Sequence, residues 1–249
     1  MGGEMRKVAF YLQKGGVGKT TLAGNIAYAA SSARRTILID ADPQGNSTSW
    51  LLRDPPEHEL ADVLAEKVTV QSAIVEISEK LSILPTFTIG GELQSFADWK
   101  IGSQPFIFDD LCETLAASGY ELAIFDLSPG LRLLEKYVIL AMDEVITPVT
   151  PEYFSLDGIE IFNTALDHIN RDYRRNVQHR VIVANQVNRS FRRHRFIRDK
   201  FATLEKEMFT IPQDSKLAEA QLAHETIFTY APESRAIPEL RKLATAILN

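Results

Sequence analysis

Residues 13–21 read QKGGVGKTT. The apolar run just before them, VAFYL at 8–12, has the length and character of a buried strand. From Thr20 onward Leu22, Ala23, Ile26, Ala27 and Ala30 recur at helical spacing. A strand, a glycine-rich turn and a helix in that order form a phosphate cradle. The glycines let successive N–H groups turn inward, and the helix adds its positive N-terminal end. The cradle is Gly15, Gly16, Val17, Gly18, Lys19, Thr20 and Thr21, with Lys19 placed to reach the terminal phosphates of a nucleotide and the Thr20 hydroxyl placed to ligate Mg²⁺. A plain glycine turn between surface lysines is the alternative, and the strand and helix on either side argue against it. Lys14 is left over, because one lysine is enough to hold one nucleotide.

Short apolar, partly β-branched runs recur along the chain at 36–39 (TILI), 81–84, 122–125, 144–149 and 180–184. Stretches with helical periodicity separate them, at about 105–118, 131–141, 155–171 and 190–206. Alternation of this kind predicts an α/β fold, a mostly parallel twisted sheet with right-handed crossovers and helices on both faces. Residues 53–80 are more polar and carry no clear period. With no repeat, low-complexity tract or linker, the 249 residues read as a single domain, 1–249.

Composition narrows the function. The single cysteine, Cys112, excludes an internal disulfide and a multi-cysteine metal site. No apolar run approaches the roughly 20 residues of a membrane span, and the apolar stretch near the start is too short for a signal peptide. A cytoplasmic protein is expected. The net charge of −6 is unevenly spread: residues 171–200 hold ten Lys/Arg against two acids, +8, so the remainder carries −14. A basic patch on an acidic chain is a localised electrostatic footprint.

Two acidic stretches close predicted strands, at the sheet end where α/β proteins bind ligands. Residues 39–46 read IDADPQGN and residues 123–130 read AIFDLSPG. A phosphate loop needs carboxylates on the metal side and at the attacking water, which makes Asp40, Asp42 and Asp126 the candidates. An aspartate ending a strand can also be a helix cap or turn residue. The phosphate loop upstream favours the functional reading.

The loop lacks the first glycine of the general pattern G-x-x-x-x-G-K-S/T, since Gln13 stands there. It matches K-G-G-x-G-K-S/T, the signature of the deviant Walker A ATPases, and within them the chain resembles the ParA/Soj DNA-partition ATPases. That resemblance runs from about residue 6 to 247 and rests on DADPQGNS (40–47), ITPVTPEYFSLDG (146–158), IPQDSKLAEA (211–220) and YAPESR (230–235). The N-terminal DNA-binding extension of the larger plasmid ParA proteins is missing, so the chain resembles the short form. Ser128 stands where the usual family form has the first of two prolines, and Gln213 where many relatives have arginine.

The resemblance implies the following roles. Lys14 crosses a dimer interface to the partner's nucleotide, acting like an arginine finger in trans. Asp42 orients the attacking water, Asp40 belongs to the Mg²⁺-water network, and Asp126 is the Walker B aspartate. Catalysis then falls to Lys14, Lys19, Asp42 and Asp126, and the metal side to Thr20, Asp40 and Asp126. Asn185 and the loop Pro212, Gln213 and Asp214 surround adenine. The implied cofactors are ATP and Mg²⁺. The implied partners are a second copy when ATP is bound, DNA of any sequence and a ParB-like centromere-binding protein, with no membrane. Residues 188–200, NRSFRRHRFIRDK, supply Arg189, Arg192, Arg193, Arg195 and Arg198 for DNA. Ile197, Phe201 and Leu204 would be the inward stripe of their helix, and Lys216 adds a further contact. MinD-type ATPases, the nearest alternative, end in a basic amphipathic membrane helix. RKLATAILN at 241–249 reads instead as a last packing helix.

Overall fold

The computed structural model describes residues 4–151, 155–188 and 206–249. Eight strands form one sheet: β1 Arg6–Phe10, β2 Thr36–Ala41, β3 Val75–Ser78, β4 Leu81–Leu84, β5 Leu122–Leu127, β6 Glu144–Val149, β7 Gln178–Val187 and β8 Glu207–Pro212. Their order across it is β3-β4-β2-β5-β1-β6-β7-β8. Every neighbouring pair is parallel except β3–β4. The expected α/β architecture is the one observed.

Alternation along the central strands fixes the layers. Val8, Phe10, Leu38 and Ile124 point to one face, where α1 (Lys19–Ser31) and a C-terminal helix, Ile237–Leu248, cover them. Ala9, Tyr11, Ile39 and Phe125 point to the other. That side is closed by helices that include Ile107–Ala117, Leu133–Leu140 (called α7 below) and Ser155–Tyr173. Strands buried on both faces read as continuous apolar runs, which is why they are visible in the sequence.

Two strands are not anticipated by the sequence reading. β3, VEIS, is a short antiparallel edge, and β8, EMFTIP, closes the opposite edge. Both mix polar and apolar residues because each has a neighbour on one side only. The stretch 53–80 otherwise folds as two short helices, Leu60–Leu64 and Val70–Ala73. The expected helix at 190–206, its Ile197, Phe201 and Leu204 stripe, and Arg189, Arg192, Arg193, Arg195 and Arg198 lie outside the described residues.

His179, near the start of β7, is buried with its ring edge-on to Phe162 and Nδ1 2.7 Å from Asn163 Oδ1. Burial, with help from Lys206, holds its pKa down at about 3 against the usual 6.5. Between those values only the unfolded chain binds the proton, so stability is full above pH 6.5 and falls as the pH drops towards 3. The contribution is at most about 1.4 kcal/mol per pH unit. Urea unfolding between pH 4.5 and 7 should show a shallower acid loss for His179→Gln than for the wild type; equal slopes would remove His179 as the cause.

Candidate functional site

The turn between β1 and α1 is a closed cradle. Gly16 (φ +72°) and Gly18 (φ +91°) take the left-handed conformation that glycine alone adopts without strain. Gly18 is the N-cap of α1, and no side chain competes for the first N–H groups of that helix. Lys19 is 7% exposed, and its ammonium donates to the main-chain carbonyls of Lys14 (2.9 Å) and Leu12 (3.4 Å). Burial lowers its pKa, and the charges of Asp126 and Asp42 oppose that shift.

The carboxylates converge on this turn. β2 and β5 are adjacent and in register, with Asp40 opposite Asp126. Both are fully buried, and burial raises the pKa of each; Asp40 is pushed further by the Asp126 charge, and Asp126 by Asp42. Asp40 Oδ2 accepts from the Thr48 N–H (2.8 Å) and hydroxyl (2.7 Å), and Oδ1 from the Asp42 N–H (3.4 Å). Both of its oxygens thus hold the stretch after β2. Asp42, 6% exposed, has Oδ1 fixed by the Gln44 N–H at 2.9 Å. Asp126 Oδ2 accepts from Ser47 Oγ at 2.8 Å, while Oδ1 is buried with no hydrogen-bond partner among the described residues. One buried ammonium thus shares the site with three buried carboxyl groups, and Asp126 keeps one oxygen acceptor open to a further partner such as a cation.

A cleft of about 910 Å³ opens over the turn, lined among others by Gly16, Lys19, Thr20, Asp42, Pro129 and Gln221. This volume lies within the range of small-molecule sites. Asn185 lies beneath the cradle, 3% exposed, and donates to the Val17 carbonyl at 2.9 Å. The loop of Pro212, Gln213 and Asp214 stands to one side. There Asp214 accepts from the Ser234 hydroxyl at 2.8 Å, and Arg235 donates to the Gln213 carbonyl. Lys216 begins a helix, Lys216–Leu222, and is paired with Glu219 at 2.7 Å, so part of its charge is met within the protein.

Several residues of the site escape a sequence reading. Gln186 lines the cleft, sits at φ +56°, and donates to the Gly16 carbonyl at 3.2 Å. Trp50, in the short helix Asn46–Leu51, packs on α1 where Gly24 makes room; a Cβ there would stand 2.3 Å from the indole ring. Its indole N–H donates to the Glu225 carbonyl at 2.8 Å, which ties the helix after Asp42 to the C-terminal part of the chain. Only Ser47 had a local signal, standing just after the glycine turn at Gly45 (φ +61°).

A glycine cradle at the end of a central strand, with Asp126 ending the adjacent strand and Asp40 the strand beyond it, makes this a P-loop protein. An AAA domain model matches residues 5–179. The sporulation initiation inhibitor protein Soj of Bacillus subtilis is 31% identical over 260 residues, spanning 96% of this chain and 97% of that protein. The uncharacterized protein BBD21 of Borreliella burgdorferi is 41% identical over 245 residues, spanning 98% and 99%. Among solved structures, a Borrelia burgdorferi chain assigned to plasmid partition and bound to AMPPNP superposes with a TM-score of 0.84 at 22% identity, covering 98% of each chain. The chain belongs to the ParA/Soj family of partition ATPases.

Proposed function

We propose that this protein is a Mg²⁺-dependent ATPase of one domain that dimerises on ATP, binds DNA without sequence preference, and segregates plasmid or chromosomal DNA with a ParB-like partner. Hydrolysis resets the dimer. The observation that carries the reading is the cradle itself: Lys19 docked on the Lys14 carbonyl, with Asp42 lining the same cleft and Asp126 buried near enough for its charge to act on Lys19. AMPPNP in a similar fold and the Soj relatives point the same way.

The cradle N–H groups and Lys19 bind the phosphates. Asp42, its rotamer set by Gln44, orients the attacking water. Lys14 serves the partner's nucleotide. The Mg²⁺ side fits Thr20 and Asp126, whose orphaned Oδ1 is an acceptor in want of a partner. Mg²⁺ commonly keeps several waters and binds through one or two protein groups plus phosphate oxygens. When bound, Mg²⁺ would neutralise charge on the phosphates.

DNA affinity is assigned to the basic residues 189–200, with Lys216 as a minor contributor because Glu219 pairs with it. Dimerisation would join two weak sites into one strong one. The protein would then sit on the nucleoid in the cytoplasm. Among the described residues no helix is long and apolar enough to cross a membrane.

The test is binding to random-sequence duplex DNA without nucleotide, with ADP–Mg²⁺ and with ATP–Mg²⁺, at two salt concentrations. Binding that needs ATP and collapses with salt is expected. Arg192→Glu/Arg195→Glu should dimerise on ATP and lose DNA. No binding in any state would overturn the DNA reading and favour a membrane- or protein-cargo ATPase.

A further inference from the structure

The loop between β5 and α7, residues 128–132, is tied together by one side chain. Glu135 lies in the first turn of α7, with Arg132 as the N-cap. Its Oε2 accepts the Arg132 N–H at 2.8 Å, an ordinary capping contact. Its Oε1 accepts the Ser128 hydroxyl, four residues before the cap. Ser128 Oγ in turn takes the Gly130 N–H at 3.4 Å. Gly130 fits closely, since a Cβ there would lie 3.5 Å from both carboxylate oxygens. A capping glutamate at the surface is solvated; this one is 3% exposed.

We propose that Glu135 is the positioning residue of this loop: one buried carboxylate gripping residues 128 and 132 together, and thereby setting Pro129 against the nucleotide cleft. The inference rests on the ATPase reading above. Pro129 lines the cleft together with the cradle residues, so its position follows from what holds the residues on either side. Both hydrogen bonds to Glu135 are made by a buried side chain, and burial shields them from competition by water. Burial raises the Asp42 pKa, and the Glu135 charge adds to that rise, so Glu135 lies near the water-orienting carboxylate as well. Release of the clasp frees the loop without touching the cradle. Glu135 therefore bears on turnover and leaves ground-state nucleotide binding to the cradle.

The experiment compares wild type, Glu135→Ala, Ser128→Ala and the double variant in steady-state ATP hydrolysis. Amide hydrogen exchange over residues 128–134 runs in parallel. The expected result is a kcat lower on the order of tenfold in each single variant, with KM within about twofold. The double variant should be no worse than Glu135→Ala, because the two groups act as one unit. Exchange at Gly130 and Arg132 should rise in Glu135→Ala. A lower melting temperature with kcat unchanged would reduce Glu135 to a stabilising cap and overturn the proposal. Should Glu135→Ala fail to fold, Ser128→Ala carries the test, since it removes only a hydroxyl. A wild type that hydrolyses no ATP would sink the ATPase reading instead; the exchange measurement then decides on its own, and unchanged protection at Gly130 and Arg132 overturns the clasp.

Discussion

A Lys14→Ala protein is expected to bind ATP with nearly wild-type affinity, remain a monomer, and lose on the order of a thousandfold in turnover. The cradle should survive the change, because it uses Lys14 only through the main chain: the Lys14 carbonyl accepts the Lys19 ammonium at 2.9 Å, and alanine keeps that carbonyl. What is lost is the charged side chain, which the family resemblance assigns to the nucleotide of the partner subunit. Light scattering with and without ATP, beside a fluorescent-nucleotide titration, separates the two effects. An ATP-dependent dimer of the variant would end the trans-acting role.

The second large effect is expected at Gly18. A side chain there faces two obstacles at once. The backbone sits at φ +91°, where an L-residue costs roughly 1–2 kcal/mol. A Cβ would also lie 2.2 Å from Asn185 Nδ2, the group that braces the Val17 carbonyl from below. Gly18→Ala must push Asn185 aside, and the cradle N–H groups lose their shared aim. We expect a folded protein whose melting temperature falls by a few degrees and whose nucleotide affinity is lost. Gly15→Ala is the matched control for stability, since nothing lies within 4 Å of a Cβ there. Normal nucleotide binding by Gly18→Ala would show that the close fit to Asn185 is dispensable.

The legible parts of the molecule were those coded locally. The glycines and lysines of the turn, and the aspartates ending β2 and β5, stand beside apolar runs that announce their strands. The strands buried on both faces were readable for the same reason. β3 and β8 were not: β3 alternates as VEIS but is only four residues long, and β8 mixes polar and apolar residues without a clear period. Tyr11 and Leu12 are apolar and buried just past the end of β1, and the Tyr11 N–H still donates to the Ile146 carbonyl of β6 at 3.0 Å. The bracing residues were illegible for a different reason. Asn185 and Gln186 reach the cradle across 168 and 170 positions of sequence. Glu135 is seven positions from Ser128, but only the folded turn makes its burial evident. Asn185, expected beside adenine, donates its amide to the Val17 carbonyl under the loop, a contact that no local pattern announces.

Trp50 carries one further consequence. The chain has two tryptophans, Trp50 at 4% exposure and Trp99 at 85%. They differ in environment enough to be told apart by emission colour, the buried indole blue-shifted and the exposed one close to its wavelength in water. Trp99→Phe would silence the solvent-facing signal. The remaining fluorophore is wedged between α1 and the helix that follows Asp42, with its N–H on the Glu225 carbonyl. A shift of that helix would register in its spectrum, which gives the molecule an intrinsic optical probe for stopped-flow work without a dye.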